Sequence, residues 1–328
     1  MPVTLRTKSK DFEKSNLFHS LIELILAVTG YFITLFVIYY TFTNHLWFFY
    51  GLSCIVGGFF LIKLFTLLHD CTHGSMFASH TANIWVGRFL SLFMTVPFTA
   101  WKIEHEEHHS HVVDMEKMHH GDVDLLTVEQ YKNASPFKQL RYRIFRQPLF
   151  LLILAPFLYF FIKTRFPWMK NRKVIGSVIL TNFFVALVYL PLLWYFGFVI
   201  MLCVFVPAAY LGGIIGVVLF YLQHNYPEVE WFTTEKWDHE QASLAGASLI
   251  ILPQPLEWFS HAIGYHHIHH LNSKIPGYRL VECYEAVPEF KAVQPLSWSD
   301  TVNAFKLRLW SYEHNQMVTI EESVLLKS

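Results

Sequence analysis

Charge is what this chain has least of. Asp, Glu, Lys and Arg make up 15% of its 328 residues, the two signs cancel at 25 each, and 53% of the chain is hydrophobic. A water-soluble domain of this size rarely carries so little polar surface. The balanced charge leaves no basic footprint, so no nucleic-acid partner is expected. Cysteine is scarce as well. Cys54, Cys71, Cys203 and Cys283 lie far apart and form no Cys-x-x-Cys pair, which argues against a disulfide framework or a cysteine zinc site. Residues 1–18 are polar and basic, without the short apolar core and small-residue cleavage site of a signal peptide. They read as a retained cytoplasmic tail. The closing "VLLKS" matches no lipid-attachment or retention pattern.

Long apolar runs are what the chain does have. A transmembrane helix needs about 20 mostly apolar residues. Residues 24–42 and 46–68 qualify, joined by the turn Thr43-Asn44-His45 into a helical hairpin. Arg6, Lys8, Lys10 and Lys14 predict a cytoplasmic start, so the hairpin returns the chain to the cytoplasm at His69. Residues 174–223 hold no charged side chain, enough for a second hairpin turning near Tyr195-Phe196-Gly197. Two shorter apolar stretches remain, 84–100 (with Arg88 and Pro97) and 148–162 (with Pro156). Basic clusters flank the second on both sides, so both are expected to lie in the interface or re-enter. The predicted fold is an all-α membrane protein: four transmembrane helices in two hairpins, interfacial or re-entrant helices, and a cytoplasmic cap. Four crossings put every histidine cluster on the cytoplasmic side.

Histidine is abundant, with 19 residues, and most of them cluster. His69 and His73 are four apart at the end of the second span, on one helix face. "HEEHHSH" holds His105, His108 and His109, and "GYHHIHHL" holds His266, His269 and His270, both at i, i+3, i+4. Any one of these is commonly a polar patch at a helix end. Three on one membrane face exceed any packing need, and neutral imidazole is the commonest metal ligand. Eight rings also exceed the four ligands of one zinc, so two metal ions are the simplest fit. His224, in "LQHNYP", falls where a ninth ligand would join, and equally where a solvated helix-end histidine would sit. Asn225 is a weaker candidate, for holding a metal-bound water. Asp70, Glu106, Glu107, Asp122, Asp124 and Asp238 are candidates to hydrogen-bond the outer ring nitrogens. Cys71 lies off the His69/His73 stripe and reads as packing. His19, His45, His80, His111, His119, His120, His239, His261, His267 and His314 read as ordinary polar residues.

Two other chemistries compete. His105-Glu106-x-x-His109 fits the zinc-protease pattern of two ligands and a glutamate base. That reading leaves the other clusters without a task. A histidine-lined metal transporter would place its site near mid-membrane on broken helices. Here the histidines sit at or beyond the span ends, and Lys63 is the only charge within the four spans.

"HDCTHGS", "HEEHH" and "QHN…EKWD…GYHHIHHLNSKIPGY" resemble the three-histidine-box integral-membrane fatty acid desaturases, most nearly the acyl-lipid Δ12/ω-6 type and its bacterial relatives. The resemblance runs from about residue 67 to 278. "EQASLAGASLIILPQPLEWF" is similar to the segment leading into the third box, and Thr72 stands where those relatives often carry Gly. The resemblance implies an oxidoreductase that uses O2 and two iron ions to introduce a double bond into an acyl chain of a lipid. It carries the metal ligands onto His69, His73, His105, His108, His109, His266, His269 and His270, with His224 as the ninth. A related di-iron hydroxylase or ketolase is the neighbouring alternative. The sequence shows neither a Gly-x-Gly-x-x-Gly fingerprint nor the His-Pro-Gly-Gly of a cytochrome b5 module. An external electron donor, a ferredoxin or similar carrier, is therefore implied. The expected organisation is a cytoplasmic tail (1–23), a membrane domain carrying the boxes (24–278) and a cytoplasmic cap segment (279–328). Within the last, "SDTVNAFKLRLW" is a candidate interfacial helix or, equally, plain cap packing.

Overall fold

A computed structural model describes residues 4–118, 122 and 124–325. His119, His120, the first three residues and the last three of "VLLKS" lie outside them. Two 27-residue helices, α1 (Leu17–Thr43) and α2 (Trp47–His73), form the first hairpin. Asn16 caps α1 by accepting from the His19 amide, and α1 starts at Leu17, ahead of the expected residue 24. Thr34, Thr41 and Thr43 hide their hydroxyls by donating to carbonyls four residues back. Each helix is about 40 Å long, more than the ~30 Å hydrocarbon core of a bilayer.

The next two apolar stretches are bent. Helices α3 (His80–Met94) and α4 (Phe98–Ser110) meet at 100°. Thr95 is left-handed there (φ 53°), and Pro97 both lacks an N–H and disfavours a helical Val96. Helices α5 (Pro136–Phe145) and α6 (Phe150–Arg165) meet at 63°, with Pro148 between them. Inside α6, Pro156 is flanked by wide π turns at Phe150–Leu154 and Leu158–Ile162, the local cost of a missing donor.

The fifty-three residues of α7 (Arg172–His224) are interrupted at Gly197, whose φ of 77° and ψ of 162° suit a residue without Cβ. The rings of Tyr189 and Phe205 meet edge to face with centroids 5.9 Å apart, although sixteen residues of straight helix would separate them by about 24 Å. The chain therefore doubles back at Gly197, within the predicted turn. Among the described residues, α1, α2 and α7 are the three helices long and apolar enough, by length and composition, to cross a membrane. Their outer faces stay apolar and uncovered, Trp194 at 87% exposure and Phe48 at 78%, as a lipid solvent requires.

Short elements build the cap: α8 (His239–Ala245), α9 (His266–Leu271), α10 (Trp298–Ala304) and three strands, β1 (Leu126–Thr127), β2 (Leu309–Ser311) and β3 (Gln316–Val318). β1 runs parallel to β2, and β2 antiparallel to β3 with Trp310 opposite Met317. The structure is mostly helical, as expected, and this small sheet is the addition that the all-α reading did not contain. The candidate interfacial helix ends at Ala304, and Leu309 and Trp310 are strand. Neighbouring strand residues point to opposite faces, so both can be buried completely. Leu309 joins Leu126, Tyr142 and Val318 on one side, while Trp310 joins Val112, Trp231 and Met317 on the other. The N-terminal segment is tied down on the same cap, where the Asn272 amide donates to Ser9 Oγ (2.9 Å) and Glu13 (3.0 Å).

Candidate metal centre

The first imidazoles stand on the last turn of α2. That helix stops at Gly74, left-handed at φ 68°, and its orphan carbonyls are taken up by Ser75 N–H (to Asp70, 3.0 Å) and two ammonium groups. Lys274 donates to the His73 carbonyl (2.6 Å) and Lys102 to that of Thr72. Cations at a helix C-terminus are favourable twice, by hydrogen bond and by dipole. His105, His108 and His109 occupy the last turns of α4, and His266, His269 and His270 make up half of α9. His224 ends α7, its Nδ1–H donating to the Gly246 carbonyl at 3.0 Å.

All nine rings named from sequence come together, in two groups. His69, His73, His105, His109 and His269 form one, and His108, His224, His266 and His270 the other, with ligand atoms in each within 4.8 Å of one another. The triplets divide between the groups. The i, i+4 pairs stay together, while His108 and His269 each cross to the opposite group. Nε2 atoms converge at 3.1 Å for His108–His224, 3.0 Å for His224–His266, 3.1 Å for His266–His270, and 3.1 Å for His109 with both His105 and His269. Two nitrogens at right angles about one ion, each about 2.1 Å from it, would lie about 3.0 Å apart. The buried His73 Nε2 has no hydrogen-bond partner at all. Burial first, then the neighbouring imidazoles, pushes His266, His269 and His270 well below the ordinary histidine range. These rings are neutral at pH 7, the form that binds metal. The donor set fits two metal ions.

Of the six candidate acids, two approach the rings. Asp122 accepts from His108 Nδ1 at 2.5 Å, and Asp70 Oδ1 lies 3.7 Å from His69 Nδ1. Glu106 pairs instead with Lys102 (2.5 Å) and Asp238 caps α8. Glu107 and Asp124 take part through their backbone carbonyls instead, accepting from Ser110 (2.8 Å) and Arg146 (3.5 Å). Asn225 is engaged elsewhere too, accepting from Arg146 (2.7 Å) and donating to the Ala304 carbonyl (2.8 Å).

A buried network behind Asp70 escaped the sequence reading. His261, read as an ordinary polar residue, places Nε2 3.1 Å from Asp70 Oδ2 and Nδ1 2.8 Å from Lys63 Nζ. Lys63 in turn pairs with Glu23 across the α1–α2 hairpin at 2.6 Å. The Gly277 amide donates to the same Asp70 oxygen (2.7 Å), and a Cβ there would fall 2.3 Å from the His261 ring. Only glycine permits that approach. The one clue was Lys63, a lone charge in an apolar span, which calls for a buried partner.

His69, His105, His108 and His266 form one wall of a cavity of about 310 Å3, lined also by Phe65, Trp101, Phe220 and the ion pair Glu104–Lys163 (2.7 Å). Tyr159 donates to the same carboxylate at 3.4 Å. Beyond it lies a larger, mostly apolar cavity of about 600 Å3 between α2, α6 and the two halves of α7.

The assembly is thus a helical membrane protein whose two imidazole groups, each able to hold a metal ion, face an acyl-sized apolar space. The zinc-protease reading fails on geometry, because its glutamate, Glu106, turns outward to Lys102 and the remaining histidines are all gathered. Residues 45–301 match the fatty acid desaturase family, and the chain belongs to it. It is 33% identical over 270 residues to a fatty acid desaturase of Bacillus subtilis (strain 168), covering 82% of this chain and 76% of that one. It is 28% identical over 280 residues to the sn-1 oleoyl-lipid 12-desaturase of a Picosynechococcus species (82% and 77% covered). It is also 28% identical over 264 residues to the sn-1 acyl-lipid omega-3 desaturase (ferredoxin) of a Synechocystis species (74% and 68%). The chain is a fatty acid desaturase, an oxidoreductase acting at the membrane.

Proposed function

We propose that this desaturase acts on acyl chains of membrane lipids, holds one iron ion in each imidazole group, and uses O2 with electrons from a ferredoxin-like carrier. The observation that carries this is the convergence of nine imidazoles, eight of them buried, in two groups, of which His69, His105, His108 and His266 line a mostly apolar cavity. His69, His73, His105, His109 and His269 hold one ion, and His108, His224, His266 and His270 the other. When bound, the iron pair with O2 supplies the oxidising power to break unactivated C–H bonds. The protein's own part is to bind, orient and exclude. Trp101 stacks on His105 (4.6 Å, 13°), fixing the plane of that ring. Asp122 and the Gly246 carbonyl hold the outer nitrogens of His108 and His224, so that both present Nε2 inward. Phe65, Trp101 and Phe220 seat the reacting methylenes and keep water away.

The reading includes four crossings: α1, α2 and the two halves of α7. The bent pairs α3–α4 and α5–α6 enter from the cytoplasmic side and return. Basic residues at both ends of the second bent pair support this, as does the fold-back of α7 at an uncharged turn. The organisation is then a cytoplasmic N-terminal segment (1–23), the membrane domain (24–278) and a cap segment (279–328), with the carrier docking on the cap. The lipid substrate and the ferredoxin are supported by the names of the cyanobacterial relatives.

The test is gas chromatography–mass spectrometry of total fatty acids from a host expressing the chain with a ferredoxin, beside His108→Ala. A new double bond, absent in the variant, is the expected result. A hydroxy or keto product would keep the metal centre and change the reaction. No product from a chain purified with two irons would overturn the reading.

A further inference from the structure

The cavity beside the imidazoles does not end there. Four residues that line it, Ile62, Phe65, Phe160 and Gly216, line the larger cavity as well, so they mark the throat where the two spaces meet. Ile62 and Phe65 share a face of α2. Phe160 is brought in by the second π turn of α6, and Gly216 comes from the returning half of α7.

Gly216 differs from the glycines one turn away. A Cβ at Gly212 would fall 2.9 Å from Leu61 Cδ2, and one at Gly213 would fall 3.2 Å from the Phe160 ring. Those two serve helix packing. A Cβ at Gly216 would meet only Ile62 Cδ1, at 3.3 Å, and otherwise project into the throat. Its missing side chain keeps a passage open rather than letting two backbones approach.

The two spaces also differ in chemistry. The metal-side cavity carries Glu104, Asp122 and Lys163 in its lining. The larger one runs toward Leu193, Phe198 and Leu202 beside the fold-back at Gly197, and its guanidinium, Arg165, is tied to Asn182 at 2.9 Å. A chain with one polar and one methyl end fits only one way round.

Resting on the proposed function, we propose that the acyl chain threads this throat methyl end first and that Gly216 is a specificity-determining residue. The open space at position 216 sets how many carbons pass beyond the metal pair, and so which chain lengths are accepted and which carbons react.

The experiment measures chain length and double-bond position of products from a host expressing wild type, Gly216→Ala, Gly216→Leu and, as control, Gly176→Leu. Gly176 lies on α7 with nothing near its would-be Cβ. Iron content is measured on each purified protein. If wild type makes no unsaturated product, the functional reading has failed before any variant is consulted. With wild type active, Gly216→Leu should cut the yield from the longest accepted chain about tenfold, the effect of overpacking an occupied passage. Product should move to shorter chains or to double bonds nearer the methyl end, with iron content and the Gly176→Leu profile unchanged. An unchanged product profile, or equal loss across all chain lengths with iron retained, overturns the proposal. Should Gly216→Leu fail to accumulate, Gly216→Ala decides, by showing or lacking the same shift on a smaller scale.

Discussion

Two groups of imidazoles face one another in the cap, and different means hold them. The five-ring group draws on three helix ends, α2, α4 and α9, and its orientation comes from packing: Trp101 flat on His105, and Asp70 near His69 but beyond hydrogen-bond reach at 3.7 Å. The four-ring group takes one member from outside the three boxes, His224, and fixes two of its four rings by direct hydrogen bonds, to Asp122 and to the Gly246 carbonyl. His109 and His270 stack across the divide at 4.1 Å and 14°. The lesson is that i, i+3, i+4 spacing specifies a helix face, not a shared ion. Each triplet gives a pair to one group and a single ring to the other, stapling the two together.

Removing one ring from each group is the strongest way to break that comparison. His73→Ala leaves four rings in its group, whereas His266→Ala leaves three. Both should lose activity by more than the ~100-fold typical of losing an outer partner, and iron per chain should fall further in His266→Ala. Metal analysis beside product yield checks this. Equal iron content in the two variants would mean the groups are not unequal in the way their membership implies.

Outer partners give the next effect. Asp122→Asn should weaken metal binding at the four-ring group by about 10–100-fold, read by chelator titration of the purified protein. Asp70→Asn should cost the five-ring group less, since Asp70 bonds the His261 ring and makes no direct hydrogen bond to any of the five. The reverse order would show that packing does not orient the first group.

Lys63 sharpens the same contrast from a distance, because the network of Asp70, His261, Lys63 and Glu23 stands behind the five-ring group. Lys63→Met leaves Glu23 buried without its cation and should destabilise the protein by about 3–5 kcal/mol. Adding Glu23→Gln should restore most of that loss. Thermal unfolding in detergent for the two single variants and the double closes the cycle. An additive double variant would mean that the pair is not coupled.

How legible all this was in the sequence follows from the physics of each part. The hairpins were readable because apolar length is a local property: α1 and α2 run over the stretches 24–42 and 46–68, though α1 begins at Leu17 and α2 continues to His73, and the turn at Gly197 falls inside 174–223. The eight rings of the three clusters were readable because spacing on a helix is local too, whereas His224, outside any spaced cluster, was equally readable as a solvated helix-end histidine. What the sequence hid depends on contacts between distant residues. Nothing local in "HAIGY" says that His261 will meet Asp70 and Lys63. The division of each triplet between two groups, and the strand at Leu309–Ser311, likewise arise only when separate segments pack.

The smallest expected effect falls on Glu106, and it separates the two chemistries that share the second box. In a metalloprotease the residue after the first histidine is the general base, and its loss would abolish turnover. Here Glu106 is half exposed and bound to Lys102 four residues before it, a surface pair of the kind worth at most ~1 kcal/mol. Glu106→Gln should therefore leave desaturation within about twofold of wild type and iron content unchanged. A collapse of activity with iron retained would mean that the carboxylate turns inward during turnover. The four-ring group would then no longer be the only one with a directly engaged acid.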